Sequence, residues 1–171
     1  MSNGSSLYAC ESFAPLVDDE CKILILGSMP GVKSLAEQEY YAHPRNRFWQ
    51  LLALLLKESN SLDYEAKKAL LKRQHIALWD TLGYCERKGS LDSDIRGEIP
   101  NDICGLLERY QNIQVVFCNG GKAAAAFKRY FAKKLPRPIS VHYLPSTSPA
   151  NARKNLEALA KEWEIILEYL R

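Results

Sequence analysis

The chain has 171 residues, of which 47% are hydrophobic and 25% are charged, and its formal net charge is +3. This length suits a single domain with a hydrophobic core. No apolar run is long enough to cross a bilayer, the polar start lacks a signal-peptide core, and five scattered cysteines without a CxxC pair favour neither a disulfide framework nor a metal site. We expect a cytoplasmic protein, either free or associated with the nucleoid.

The basic residues are concentrated in two parts of the chain. Residues 110–156 contain no acidic residue and carry eight lysines and arginines, and residues 40–57 also lack acids. A nucleic-acid-binding face would have this charge distribution, and so would ordinary solvated helices. Charge alone leaves both interpretations open.

Hydrophobic periodicity predicts alternating strands and helices from residue 23 onward. The expected strands are residues 23–27, 76–82, 115–118 and 139–144, and the expected helices are residues 45–56, 63–73, 101–110, 122–134 and 152–170. This order predicts an α/β three-layer sandwich with a central four-stranded parallel sheet flanked by helices. We expect one domain over residues 1–171, with residues 1–12 as a loosely ordered N-terminal segment.

Polar, turn-forming sequence follows three of the predicted strands, and these loops should converge at one edge of the sheet. The first contains Gly27, Ser28, Met29, Pro30 and Gly31. It lacks the GxGxxG pattern of dinucleotide-binding proteins, and the Gly-Gly-Lys after residue 119 lacks the rest of a P-loop. The first loop is either a plain turn or a ring of backbone N–H groups open to a ligand.

Aromatic and amide side chains lie close together after this loop. Tyr41 and His43 precede Asn46 in the sequence YAHPRN. Tyr41 is either a core residue or a stacking surface for a flat ligand. Asn46 is either a residue of the first helical turn or a ligand-reading amide, with one donor and one acceptor side.

Three hydroxyl side chains follow the last predicted strand, at Ser146, Thr147 and Ser148. Ser148 before Pro149 is typical of a capped helix start. Hydroxyls at a helix N-terminus with Arg153 one turn later also favour a phosphate-binding site. The two interpretations are compatible.

These segments together resemble the uracil-DNA glycosylase superfamily, and within it the hypoxanthine-DNA glycosylase branch. The matching segments are GSMPGVKSL (27–35), YAHPRNRFW (41–49), ALWDTL (77–82), GSLD (89–92), NGGKA (119–123) and LPSTSPAN (144–151). The resemblance implies a parallel sheet between helices, base flipping, and removal of a deaminated base from DNA without a metal or cofactor. It places the catalytic amide at Asn46, the stacking ring at Tyr41 and the DNA grip at residues 145–148. Met29 departs from the related mismatch-specific enzymes, which carry an asparagine there.

A mechanism follows from the groups in these segments. Hypoxanthine and uracil share a C=O beside an N–H, which adenine and cytosine lack, and the Asn46 amide could pair with both groups at once. Backbone N–H groups of residues 27–31 and His43 would stabilise the leaving base, with Asp80 as either a general base or a structural cap. We expect a monomer that acts on DNA containing a deaminated base. Three alternatives remain: a uracil-preferring glycosylase, a non-catalytic binder of damaged DNA, and a nucleoside hydrolase.

Overall fold

The chain forms two β-sheets and seven α-helices over the residues that the computed structural model describes, which are 7–60 and 63–171. The strands are β1 (Tyr8–Glu11), β2 (Ile23–Gly27), β3 (Ile76–Asp80), β4 (Leu82–Arg87), β5 (Arg96–Pro100), β6 (Val115–Asn119) and β7 (Ser140–Leu144). The helices are α1 (Val32–Glu37), α2 (Phe48–Leu56), α3 (Tyr64–Arg73), α4 (Ile103–Arg109), α5 (Gly121–Tyr130), α6 (Leu156–Trp163) and α7 (Ile166–Leu170).

The central sheet has four parallel strands in the order β3-β2-β6-β7. Every residue of β2 and β6 is buried, because helices cover both faces of these two inner strands. The predicted four-stranded parallel sheet is confirmed, and its carboxyl ends meet at one edge.

Alternate residues of the strands point into two different cores. Ile23 and Ile25 pack with α2, α6 and α7, whereas Leu24 and Leu26 pack with α4 and α5 on the opposite face. Successive side chains of the apolar strand therefore point to opposite faces of the sheet, and each face packs against its own layer of helices. The result is the predicted three-layer sandwich.

A second, antiparallel sheet of order β1-β4-β5 was not predicted. The expected strand over residues 76–82 ends at Asp80, and β4 begins at Leu82 after Thr81. The prediction of a loosely ordered start is wrong for Tyr8–Glu11, because these residues pair with β4; residues 1–6 lie outside the described residues. The second sheet places residues 90–93 beside the carboxyl edge of the first.

The end of the chain also differs from the prediction. Residues 148–154 form turns, and α6 begins only at Leu156, where the Asn155 carboxamide caps the helix by accepting from the Ala158 N–H at 2.9 Å. The predicted helix start at Ser148 and Pro149 is therefore wrong, since the turns satisfy the local backbone instead. Within residues 7–60 and 63–171, no helix has the length and apolarity needed to cross a membrane.

Candidate active site

A cavity of about 480 Å³ opens at the carboxyl edge of the parallel sheet. The loops after β2 and β7 line it, together with the last residues of β3 and β6 and residues 90–93 from the second sheet. The predicted convergence is confirmed for the loops after β2 and β7, and Gly27–Gly31, Tyr41, His43, Asn46 and Ser146–Ser148 all line this one cavity.

The Asn46 side chain is held by two hydrogen bonds at its oxygen. Oδ1 accepts from the Phe48 N–H at 2.9 Å and from the Thr147 hydroxyl at 2.9 Å. Because a backbone N–H can only donate, the bond from Phe48 fixes the oxygen on that side and leaves Nδ2 as the free end. The expectation that Asn46 both donates to and accepts from a base is wrong, since both acceptor positions of its oxygen are occupied.

Thr147 connects Asn46 to a second amide, Asn119. The Thr147 hydroxyl accepts from Asn119 Nδ2 at 3.0 Å, and the Thr147 N–H donates to Asn119 Oδ1 at 3.0 Å. Thr147 is fully buried. Its predicted contact with DNA is therefore wrong, because a buried hydroxyl bonded to two amides cannot reach a phosphate; it instead links the side chains of Asn46 and Asn119.

Asn119 was not among the predicted site residues. It ends β6, is 8% exposed and lines the cavity. Beyond the two bonds to Thr147, its amide has one further N–H and one further acceptor position, and the Tyr41 hydroxyl lies close to this amide. The signal that could have identified it is an asparagine closing a buried strand directly before Gly120-Gly121.

Tyr41 presents one ring face to the cavity. Phe48 stacks on the other face, with ring centroids 4.0 Å apart and an interplanar angle of 27°. The Tyr41 backbone has φ of 54°, an uncommon conformation for a bulky residue, which tertiary contacts must hold. Burial raises the pKa of its hydroxyl, and the nearby Asn119 side chain opposes this effect.

The loop after β2 turns its carbonyls away from the cavity. The Gly27 and Ser28 carbonyls accept from the N–H groups of Thr81 at 2.8 Å and Leu82 at 3.1 Å, and the Pro30 carbonyl accepts from the buried Arg87 guanidinium. The N–H groups of Met29 and Gly31 donate to no other described residue. Both residues line the cavity, so two backbone N–H groups of its lining remain without a partner among the described residues.

His43 lies exposed at the mouth of the cavity. Its Nδ1 accepts from the Arg45 N–H at 3.0 Å. This bond requires that the neutral ring carry its proton on Nε2, so the free nitrogen of His43 is a donor.

Two carboxyl groups, the buried Asp80 and the more exposed Asp92, lie beside the glycine loop. The Ser28 hydroxyl donates to Asp92 at 2.6 Å. Burial, and then repulsion from Asp92, raises the pKa of Asp80 to about 7 against the opposing effect of Arg87. Burial also raises the pKa of Asp92, although the Ser28 hydrogen bond and the charge of Arg87 oppose it.

The remaining wall is a turn that Arg47 fastens in place. Its guanidinium donates to the carbonyls of Ser148 at 3.0 Å, Asn151 at 2.9 Å and Lys154. The Ser146 and Ser148 hydroxyls accept from backbone N–H groups within this turn. Arg153 is exposed on the same segment but does not line the cavity.

Known proteins are similar to this chain in sequence and in fold. The model of the uracil DNA glycosylase superfamily matches residues 14–171. A protein from Methanosarcina acetivorans named hypoxanthine DNA glycosylase is 36% identical over 160 residues, which cover 92% of this chain and 97% of the relative. A protein of the same name from Methanosarcina barkeri is 38% identical over 154 residues, covering 90% and 94%. The solution NMR structure of a Methanosarcina acetivorans protein, provisionally described as a uracil DNA glycosylase, superposes with a TM-score of 0.80 at 35% identity over 95% of this chain and 99% of that structure.

Proposed function

Since the chain belongs to the uracil DNA glycosylase superfamily, we propose that it is a monofunctional DNA glycosylase that hydrolyses the N-glycosidic bond of deaminated bases, chiefly hypoxanthine. The observation that carries the proposal is the convergence of Asn46, Tyr41 and the glycine loop on one cavity. Such an enzyme must take the base out of the duplex, and a cavity of about 480 Å³ is within the range of small-ligand sites.

Stacking on Tyr41 offsets part of the cost of flipping the base. Unstacking costs a few kcal/mol and is least at a mispair, whereas base–aromatic stacking recovers about 1–3 kcal/mol. Phe48 already supports one face of the Tyr41 ring, so the opposite face is preorganised for the base.

Hydrogen-bond polarity favours a base that carries carbonyl groups. Asn46 offers only Nδ2, which donates. The N–H groups of Met29 and Gly31 and the Nε2–H of His43 are further donors at the cavity. Asn119 has one further donor and one further acceptor position, and the Tyr41 hydroxyl lies close to this amide, so Asn119 and Tyr41 together, rather than Asn46, offer polar groups for a C=O and the adjacent N–H.

These donors also stabilise the base as it leaves. Cleavage places negative charge on the base, and fixed donors in a cavity with little water stabilise that charge strongly. Breaking the bond needs no cofactor in this scheme, because water supplies the oxygen that joins the sugar.

DNA binds across the mouth of the cavity in this proposal. Ser146 and Ser148 lie on the turn that Arg47 fastens, and the exposed Arg153 follows it. Arg153 supplies sequence-independent attraction to phosphates at this edge, whereas Lys133, Lys134 and Arg137 of the acid-free stretch lie between α5 and β7, at the opposite edge of the sheet.

Replacement of Asn46 by aspartate tests the proposal. The Asn46→Asp variant keeps an oxygen for Phe48 and Thr147 but loses the Nδ2 donor, so we expect normal folding and a loss of base release of about 10²–10³-fold, as for removal of one fixed donor. Release is measured as alkali-dependent strand scission of duplexes that contain one deoxyinosine or one deoxyuridine.

The matched control is Gln50→Glu, which makes the same charge change on the exposed side of α2 and should leave activity intact. The relative rates on the two duplexes decide between a hypoxanthine and a uracil preference. Binding of damaged DNA without scission would instead make the protein a non-catalytic binder. Full activity of Asn46→Asp would move the chemistry to other residues.

A further inference from the structure

Asp80 carries a buried carboxyl group that the proposed reaction scheme does not use. It ends β3, is 3% exposed and lines the cavity. Neither carboxyl oxygen has a hydrogen-bond partner among the described residues, and Oδ2 is completely enclosed. A buried polar group without a partner costs free energy, so its retention at the cavity indicates that a ligand supplies the missing partner.

The carboxyl group lies at the inner end of the cavity. A methyl group added to Gly27 would lie 2.5 Å from Asp80 Oδ1 and 3.0 Å from the Tyr41 hydroxyl, so both groups project into the space that the missing side chain leaves. By contrast, His43 and Lys33 line the same cavity and are exposed, which places them at its mouth.

This position decides which part of the substrate Asp80 can touch. The sugar carbon that water attacks remains attached to the DNA strand, outside the cavity. The edge of the base opposite the glycosidic bond enters deepest, and in hypoxanthine and uracil that edge carries an exocyclic carbonyl. Asp80 therefore faces the base rather than the attacking water.

The geometry points to Asp80 as the catalytic acid that donates a proton to the exocyclic carbonyl of the departing base, an inference that rests on the glycosylase function proposed above. The glycosidic bond breaks and its electron pair leaves with the base, while the proton moves from Asp80 to the carbonyl oxygen. A water oxygen forms the new bond to the sugar carbon and releases a proton to solvent. Solvent then returns a proton to the Asp80 carboxylate.

The surroundings of Asp80 keep the acid protonated up to neutral pH. Burial and the nearby Asp92 raise the pKa of Asp80 to about 7, whereas the buried Arg87 lowers it. Tyr40 and Tyr41 also lie within range of its charge, and burial raises the pKa of both phenols, so they remain neutral. Asp80 is thus a donor below about pH 7 and ionises above it.

The pH dependence of base release tests this role. Single-turnover rates on a deoxyinosine duplex are measured from about pH 5.5 to 9 for the wild type and for Asp80→Asn. We expect the wild-type rate to fall by about tenfold per pH unit above pH 7, because one proton is lost. Asp80→Asn keeps an N–H donor but cannot transfer a proton, so at pH 6 it should be about tenfold slower, with no fall above pH 7.

Two further variants keep the test decisive. Asp92→Asn removes the repulsion that raises the pKa of Asp80, so the fall in rate should begin at lower pH. His43→Gln removes the exposed imidazole at the mouth of the cavity and should leave the pH at which the rate begins to fall unchanged.

The outcomes separate the two proposals. A wild type that releases no base at any pH overturns the glycosylase function itself. A wild type that is active but whose rate rises through pH 7 would make Asp80 a base instead. An unchanged pH profile in Asp80→Asn would leave it a structural residue. Either of the last two results refutes only the role of Asp80.

Discussion

Replacing Thr147 by valine should disconnect the Asn46 amide without changing the volume of the site. Valine has the same shape as threonine but loses the hydroxyl that donates to Asn46 at 2.9 Å and accepts from Asn119 at 3.0 Å. Each neutral hydrogen bond contributes about 1 kcal/mol, so the two losses should cost about 2 kcal/mol. For a chain of this length, that cost should lower the Tm by about 4–8 °C.

The rate of base release should fall by more than the loss of stability alone would cause. Without Thr147, the Asn46 oxygen keeps one of its two partners, and a catalytic group misplaced by about 1 Å can lose about 10²-fold in rate. Differential scanning calorimetry gives the Tm, and alkali-dependent scission of the deoxyinosine duplex gives the rate. Thr147→Ser keeps the hydroxyl and should lose about 1 kcal/mol of stability with near-normal activity.

Thr81 offers a matched control for this substitution. Its hydroxyl is also fully buried but has no hydrogen-bond partner among the described residues. Thr81→Val should therefore leave the Tm unchanged or raise it, because an unpaired buried hydroxyl is removed. If Thr147→Val keeps both the wild-type rate and the wild-type Tm, Thr147 does not position Asn46.

Two other substitutions test the cavity and its mouth. Gly27→Ala should lower the free energy of unfolding by about 1–3 kcal/mol and remove most of the activity, because the added carbon would lie 2.5 Å from Asp80. In the control, Gly121→Ala, the added carbon enters open space, so neither the Tm nor the rate of strand scission should change. Arg153→Ala should weaken DNA binding and reduce the magnitude of the slope of log affinity against log salt concentration by about 1. Arg109→Ala, at the opposite edge of the sheet, should change neither the affinity nor the slope. Fluorescence anisotropy at several salt concentrations measures the affinity and the slope for each variant. An unchanged slope for Arg153→Ala would remove this residue from the phosphate contacts.

The parallel sheet could be predicted because its strands are continuous apolar runs between helical patterns. The antiparallel sheet could not, since β5 is mostly exposed and β1 is short and pairs with β4, a partner more than 70 residues away. The family resemblance from the motifs is confirmed by the matched superfamily. Several residues that line the cavity could be predicted because polar side chains directly follow an apolar strand there, as in the loop after β2.

Hydrogen-bond direction was beyond prediction. Sequence shows that Asn46 has an acceptor, but not that Phe48 and Thr147 occupy it. In the same way, the hydroxyl of Thr147 looks like a phosphate contact in the sequence, and only its burial shows that it serves the two amides. Such roles depend on contacts between residues about 100 positions apart, which local patterns do not encode.

The distribution of donors explains how such a cavity would distinguish deaminated bases from normal ones. In the proposed function, Asn46 Nδ2, the N–H groups of Met29 and Gly31, and a protonated Asp80 would all donate hydrogen bonds to the base. Deamination replaces an amino group by a carbonyl, so hypoxanthine and uracil offer acceptors where adenine and cytosine would set donor against donor. A bound base would also separate Asp80 further from solvent, which would raise the pKa of this carboxyl group further and favour the donating form. Recognition of the base and protonation of the acid thus reinforce each other, because the desolvation that a bound base imposes also keeps Asp80 neutral.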